Sequence, residues 1–165
     1  MKLTKKQLAA LKRLISEEWR RYPHHITGYH RSGDRYAVTD GYTLVMLKEA
    51  PDELPAGTRE DKYDEMMREA EGCDFFLVED LPALEVLRKT PGKITLTAER
   101  FDGTTISSVF DVRRLITTLE SAGTGCTAYL GYAKPFVGSV ASLMVYSKAG
   151  VMDSPLTAIL LPCRN

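Results

Sequence analysis

The thirteen residues Arg35-Tyr-Ala-Val-Thr-Asp-Gly-Tyr-Thr-Leu-Val-Met-Leu47 constrain this chain more than any other segment. β-Branched and aromatic residues alternate on both sides of an Asp40-Gly41 pair, the pattern of two half-buried strands and a tight turn. An Asp-Gly pair suits a two-residue hairpin loop, because both central residues of that loop take positive φ. The expectation is a hairpin of strands 35–39 and 42–47, preceded by a strand 26–31 that turns through Ser32-Gly33-Asp34.

Residues 4–22 read as the helix leading into these strands. Leu8, Leu11, Ile15, Trp19 and Tyr22 recur at helical spacing, which places them on one narrow face. Thr4 is the expected N-cap, with Gln7 three residues on as its capping-box partner, and Pro23 ends the helix. Beyond the hairpin, Pro51, Pro55 and Gly57 mark a loop, and 58–70 reads as a short charged helix closed by Gly72. Residues 75–78 form a short buried strand. Asp80 caps a second core helix through Leu84, Leu87 and Arg88, and Pro91-Gly92 stops it. Residues 93–99 and 104–109 pair around Phe101-Asp102-Gly103. Asp111 caps a further helix that turns Val112, Leu115, Ile116 and Leu119 inward and ends at Gly123. Strands at 126–132, 142–147 and 156–161 close the chain, with 136–140 as an extension of the second.

The order helix, strand, hairpin therefore occurs twice, within 1–48 and within 100–165, around a charged connector at 49–72. The middle section carries a shorter version. This predicts a single α+β domain, residues 1–165, built from duplicated helix-plus-antiparallel-sheet units with helices on one face.

At this point the residues resemble a known family, the bacterial DNA sliding clamp, the processivity subunit of the replicative polymerase. Gly33-Asp-Arg-Tyr-Ala-Val-Thr-Asp-Gly-Tyr-Thr-Leu44 is similar to the clamp pattern of a strand, then Ala-Thr-Asp-Gly-His-Arg-Leu, then a strand. Phe110-Asp-Val-Arg-Arg-Leu-Ile-Thr-Thr-Leu119 resembles the final clamp helix, and Ala158-Ile-Leu-Leu-Pro-Cys-Arg164 its closing strand. Tyr42 and Thr43 stand where the family pattern has His and Arg. Bacterial clamps carry three domains per chain and close as dimers, whereas 165 residues make little more than one such domain. The resemblance implies a clamp-like fold, a non-enzymatic scaffold, duplex DNA or partner proteins as ligands, and a homo-oligomer. The alternative is a clamp-fold homomeric interaction module that does not bind DNA.

Lys plus Arg and Asp plus Glu each number 22, for a net charge of zero. Contact with nucleic acid therefore requires a local basic patch. At about 100° per residue, Lys2, Lys6, Arg13 and Arg20 gather almost opposite the apolar face of the first helix. Arg113 and Arg114 on the last helix, with Arg88 and Lys89, extend that surface. In clamps, helices line the hole and offer such residues to phosphates, contacts that carry no sequence information. The competing reading is a solvated face in which Glu17 pairs with Arg13 and with Arg20 or Arg21. A second candidate site, a partner-peptide groove, would use Leu143, Val145, Leu160 and Pro162 with Tyr146 near; ordinary core packing explains the same residues.

Nothing in the sequence assembles a catalytic set or a cofactor motif. His24, His25 and His30 cluster without a cysteine or carboxylate to complete a metal pattern. Three cysteines, Cys73, Cys126 and Cys163, show no CxxC spacing and read as buried thiols of a reducing compartment. The start Met1-Lys-Leu-Thr-Lys-Lys has no apolar run behind it, and no segment approaches the roughly 18 apolar residues of a membrane span. A cytoplasmic location, no membrane, no metal and no cofactor are expected.

Overall fold

The computed structural model describes residues 3–15, 28–56, 74–123, 125–131, 141–146 and 157–163. They form an α+β structure with antiparallel sheets. Helix α1 spans Lys5–Leu14, followed by strands β1 (His30–Ser32), β2 (Arg35–Thr39) and β3 (Thr43–Leu47). Strand β4 (Phe75–Leu77) and the short helix α2 (Leu84–Arg88) come next, then the β5 (Lys93–Glu99) and β6 (Thr105–Asp111) hairpin. Helix α3 (Val112–Ala122) leads into β7 (Thr127–Gly131), β8 (Ser142–Tyr146) and β9 (Ala158–Leu160). None of the described helices is long and apolar enough to cross a membrane.

Two sheets result. β5 and β6 form a two-stranded sheet, and the other seven strands run in the order β1-β2-β3-β9-β8-β7-β4. The order is mirrored about the β3–β9 seam. Each of α1 and α3 is followed by three strands in a meander, and the last strands of the two meanders pair, Leu44 opposite Ile159.

Alternation across the pleat separates two apolar layers. Val38, Val45, Leu143, Val145, Ala158 and Leu160 share a core with Leu11 and Leu14 of α1 and Leu115 and Leu119 of α3. The intervening residues Ala37, Leu44, Met46, Met144 and Ile159 form a second cluster, bordered by Phe75, Tyr129 and Tyr146. With both faces buried, β3 is apolar along nearly its whole length, a pattern the alternation of a one-sided strand would not give. At Gly131 a Cβ would come within 2.6 Å of the Met144 sulfur and 3.2 Å of the Asp74 carbonyl, so glycine permits the close approach of β4 to β7.

Local expectations fare unevenly. Thr4 and Gln7 form the reciprocal capping box. Asp111 caps α3 through the Arg114 N–H, and Gly123 closes it at φ +100°. Asp80, however, does not cap α2: its N-cap is Ala83, without a side-chain cap bond. The Asp40-Gly41 turn is not a two-residue loop either. Thr39 pairs with Leu44 and β3 begins at Thr43, so Asp40, Gly41 and Tyr42 connect the two strands. Only Gly41 takes positive φ there, +88°. The Asp40 carboxylate makes the turn instead, accepting from the Tyr42 and Thr43 N–H groups at 2.8 and 2.7 Å. The expected elements at 58–70 and 136–140, and helical residues beyond Ile15, lie outside the described residues.

Candidate nucleic-acid interface on the helical layer

Helix α1, KKQLAALKRL, contains four basic residues and no acidic one. Ala10, Leu11 and Leu14 are buried, and the helical period sets Lys5, Lys6, Lys12 and Arg13 on the opposite arc, all exposed. They form two rows of seven-residue spacing, Lys5 with Lys12 and Lys6 with Arg13. Taken together, the three helices hold seven basic residues (Lys5, Lys6, Lys12, Arg13, Arg88, Arg113 and Arg114) against two acidic ones, Glu85 and Glu120. The whole chain balances at zero, so positive charge is concentrated on the helices and compensated elsewhere.

Glu120 joins all three helices. Its Oε2 accepts from Arg13 Nη2 of α1 at 2.6 Å, and its Oε1 from Arg88 Nη2 of α2 at 3.0 Å. The carboxylate side chain is 10% exposed, while the two arginine side chains are 51% and 45% exposed. Burial alone would raise the Glu120 carboxyl, but the hydrogen bonds and charges of Arg13 and Arg88 outweigh it and hold the group below its ordinary value. Arg113, which is exposed, lies seven residues before the half-buried Glu120, on the same row of α3. Arg13 thus pairs with a residue of α3; Glu17, the partner expected from helical spacing, lies outside the described residues.

Arg114 has a different role. Its guanidinium lies 3.9 Å over the Tyr42 ring and 3.4 Å from Asp40 Oδ2. It therefore ties the β2–β3 turn to the first turn of α3. Thr118 donates to the Arg114 carbonyl at 2.7 Å, leaving the Thr43 hydroxyl, 3.1 Å away, to donate to Thr118. Desolvation raises the Asp40 carboxyl, more than its two N–H donors and Arg114 lower it.

Of the residues assigned to DNA from sequence, Lys6, Arg13 and Arg113 are exposed on the helices, and Arg114 is engaged at the turn. Lys2 and Arg20 lie outside the described residues. Lys5 and Lys12 were missed, although their seven-residue spacing repeats that of Lys6 and Arg13. The groove residues are placed otherwise than a surface pocket needs. Leu143, Val145 and Leu160 are fully buried beneath the helices, so their side chains present no apolar wall to a partner. Tyr146 is half-buried on the opposite face, against Phe75 and Tyr129, and Pro162 is half-buried after β9. His30 is buried in β1, and His24 and His25 lie outside the described residues. Burial pushes the Cys126 thiol up to about 11, which keeps it protonated at neutral pH. No protein-family model matches the chain, and no curated protein matches it in sequence.

Proposed function

We propose that the chain is a non-enzymatic, clamp-like scaffold whose helical layer contacts duplex DNA through the phosphate backbone. The observation that carries this reading is the division of charge: seven basic side chains against two acidic on the described helices of a neutral protein. Helices that offer lysine and arginine without a reading side chain favour affinity without sequence preference, the requirement of a protein that moves along DNA. The mirrored order of two helix-plus-meander units about β3 and β9 supports a duplicated, clamp-like architecture with helices on one face. Surrounding DNA takes several units of this size, so the reading includes a homo-oligomer.

Binding of a labelled duplex, followed by anisotropy across a salt series, tests the reading. Affinity is expected to fall steeply with salt. The K5E/K6E/K12E triple variant should lower the log–log slope by about 3, since each released counterion contributes about 0.9. An unchanged slope in that variant counts against the helical layer.

A second reading, a homomeric interaction module without DNA binding, is favoured by one feature. β4 is a terminal strand of the seven-stranded sheet, and beside it Leu77 is 43% and Phe101 92% exposed, with Phe101 edge-on to Phe76 at 5.1 Å. Light scattering separates the two: this module remains oligomeric and gives no mass change on adding duplex.

A further inference from the structure

We propose that Glu120 is an internal stand-in for a backbone phosphate, which occupies Arg13 and Arg88 until duplex DNA displaces it and thereby sets the affinity of the helical layer. The proposal rests on the nucleic-acid reading above and adds to it the residue that limits binding.

The geometry points this way for three reasons. Each carboxylate oxygen takes one guanidinium, and the two come from different helices, Arg13 at 2.6 Å and Arg88 at 3.0 Å. The two non-bridging oxygens of a phosphate diester present the same pair of acceptors. Each guanidinium contributes one nitrogen to the contact and has five N–H donors in all, so an incoming phosphate can be engaged before the carboxylate is released.

The second reason is exposure. With about half of each arginine side chain in solvent, ion pairs of this kind contribute little to stability. Helix packing is supplied instead by Leu11, Leu14, Leu87, Leu115 and Leu119, all buried in one core. A carboxylate that the fold does not need for cohesion is nevertheless set among the basic residues of the described helices.

The third reason is position. Glu120 and Glu85 are the only acidic residues on the described helices, and Glu120 shares its row with Arg113. Any duplex lying across Arg113 and the lysine rows of α1 meets this carboxylate, and its charge opposes binding unless the two arginines turn outward.

The test compares the full-length chain with E120Q, using the same labelled mixed-sequence duplex between about 50 and 200 mM salt. Neutralising Glu120 should tighten binding about three- to tenfold at the low-salt end and leave the log–log slope near that of the wild type, because displacement brings Arg13 and Arg88 onto phosphates in both proteins. If E120Q keeps the wild-type circular dichroism spectrum yet binds no tighter, the proposal is overturned. A readout on the unmodified protein guards against an E120Q that does not fold. The Glu120 carboxyl, followed by carbon-detected NMR, should titrate at higher pH with duplex bound, because it loses both guanidiniums and gains a phosphate neighbour. A titration unmoved by saturating duplex contradicts displacement. Failure of the wild-type chain to bind duplex at low salt would instead remove the nucleic-acid reading itself.

Discussion

Two carboxylate–arginine contacts in this protein differ in almost every respect except their chemistry. At the β2–β3 turn, Asp40 is 4% exposed and meets Arg114 at 3.4 Å; at the helix junction, Glu120 is 10% exposed and meets two arginines that are each about half in solvent. Burial governs Asp40 and raises its carboxyl, while the two arginines govern Glu120 and lower it. The first contact is part of the architecture, because Asp40 also accepts from the Tyr42 and Thr43 N–H groups, the second of them buried. The second lies where a ligand can compete for it. The surroundings of a charge pair, rather than the pair itself, decide whether it holds a fold or adjusts a surface.

The largest expected effect comes from breaking the buried contact. D40A strands the Tyr42 and Thr43 N–H groups and leaves Arg114 without its carboxylate, at a cost of about 3 kcal/mol in urea unfolding. D40N, which keeps an acceptor oxygen, should lose markedly less. A loss below about 1 kcal/mol for D40A would place the turn outside the cooperative unit.

L143A is expected to cost about 3 kcal/mol, as cavity formation under the helices does for buried leucine. A groove residue would change stability by no more than about 0.5 kcal/mol. The variant therefore tells core from groove. T43V, which removes the hydroxyl donated to Thr118, should cost about 1 kcal/mol.

The smallest stability change, under about 1 kcal/mol, is expected for E120Q at neutral pH. The contrast between the two carboxylates is sharpest in its pH dependence. Glu120 is depressed in the folded chain below its ordinary 4.5, so its contribution is complete above that value and is lost as pH falls through the depressed one. Asp40 is raised above its ordinary 3.8, so its burial as a charge costs stability at neutral pH, and that cost is relieved as pH falls through the raised value. Urea midpoints measured against pH should lose an acid-side decline in E120Q and an acid-side gain in D40N. Parallel curves for all three proteins would refute the distinction.

What the sequence disclosed follows the range of the interactions. The capping box at Thr4 and Gln7 and the Asp111 and Gly123 ends of α3 are set within a few residues, and they were legible. So was the helical arc of Lys6 and Arg13, because the period of the helix fixes it. The Thr39–Thr43 region was legible as a turn but not as a three-residue connection, since an Asp-Gly pair suits several loop lengths and Asp40 here also reaches α3. Arg13 and Glu120 are 107 residues apart, and Arg114 and Asp40 are 74 apart. No local spacing announces either contact. For Arg13, helical spacing pointed to Glu17, which lies outside the described residues. The burial of Leu143, Val145 and Leu160 was not legible for a related reason: apolar strands read alike whether their side chains face a helix or solvent, and only the placement of α1 and α3 over them decides it.

The central claim is that the basic layer made by α1 and α3 engages duplex DNA through its phosphates. The most direct measurement is the salt dependence of duplex binding by the wild-type chain beside K5E/K6E/K12E, at matched protein concentration and with both proteins shown to be folded. The account predicts a linear log–log fall in affinity for the wild-type chain and a slope shallower by about 3 in the variant. Equal slopes for the two proteins, or no binding by the wild-type chain at about 50 mM salt, would contradict it.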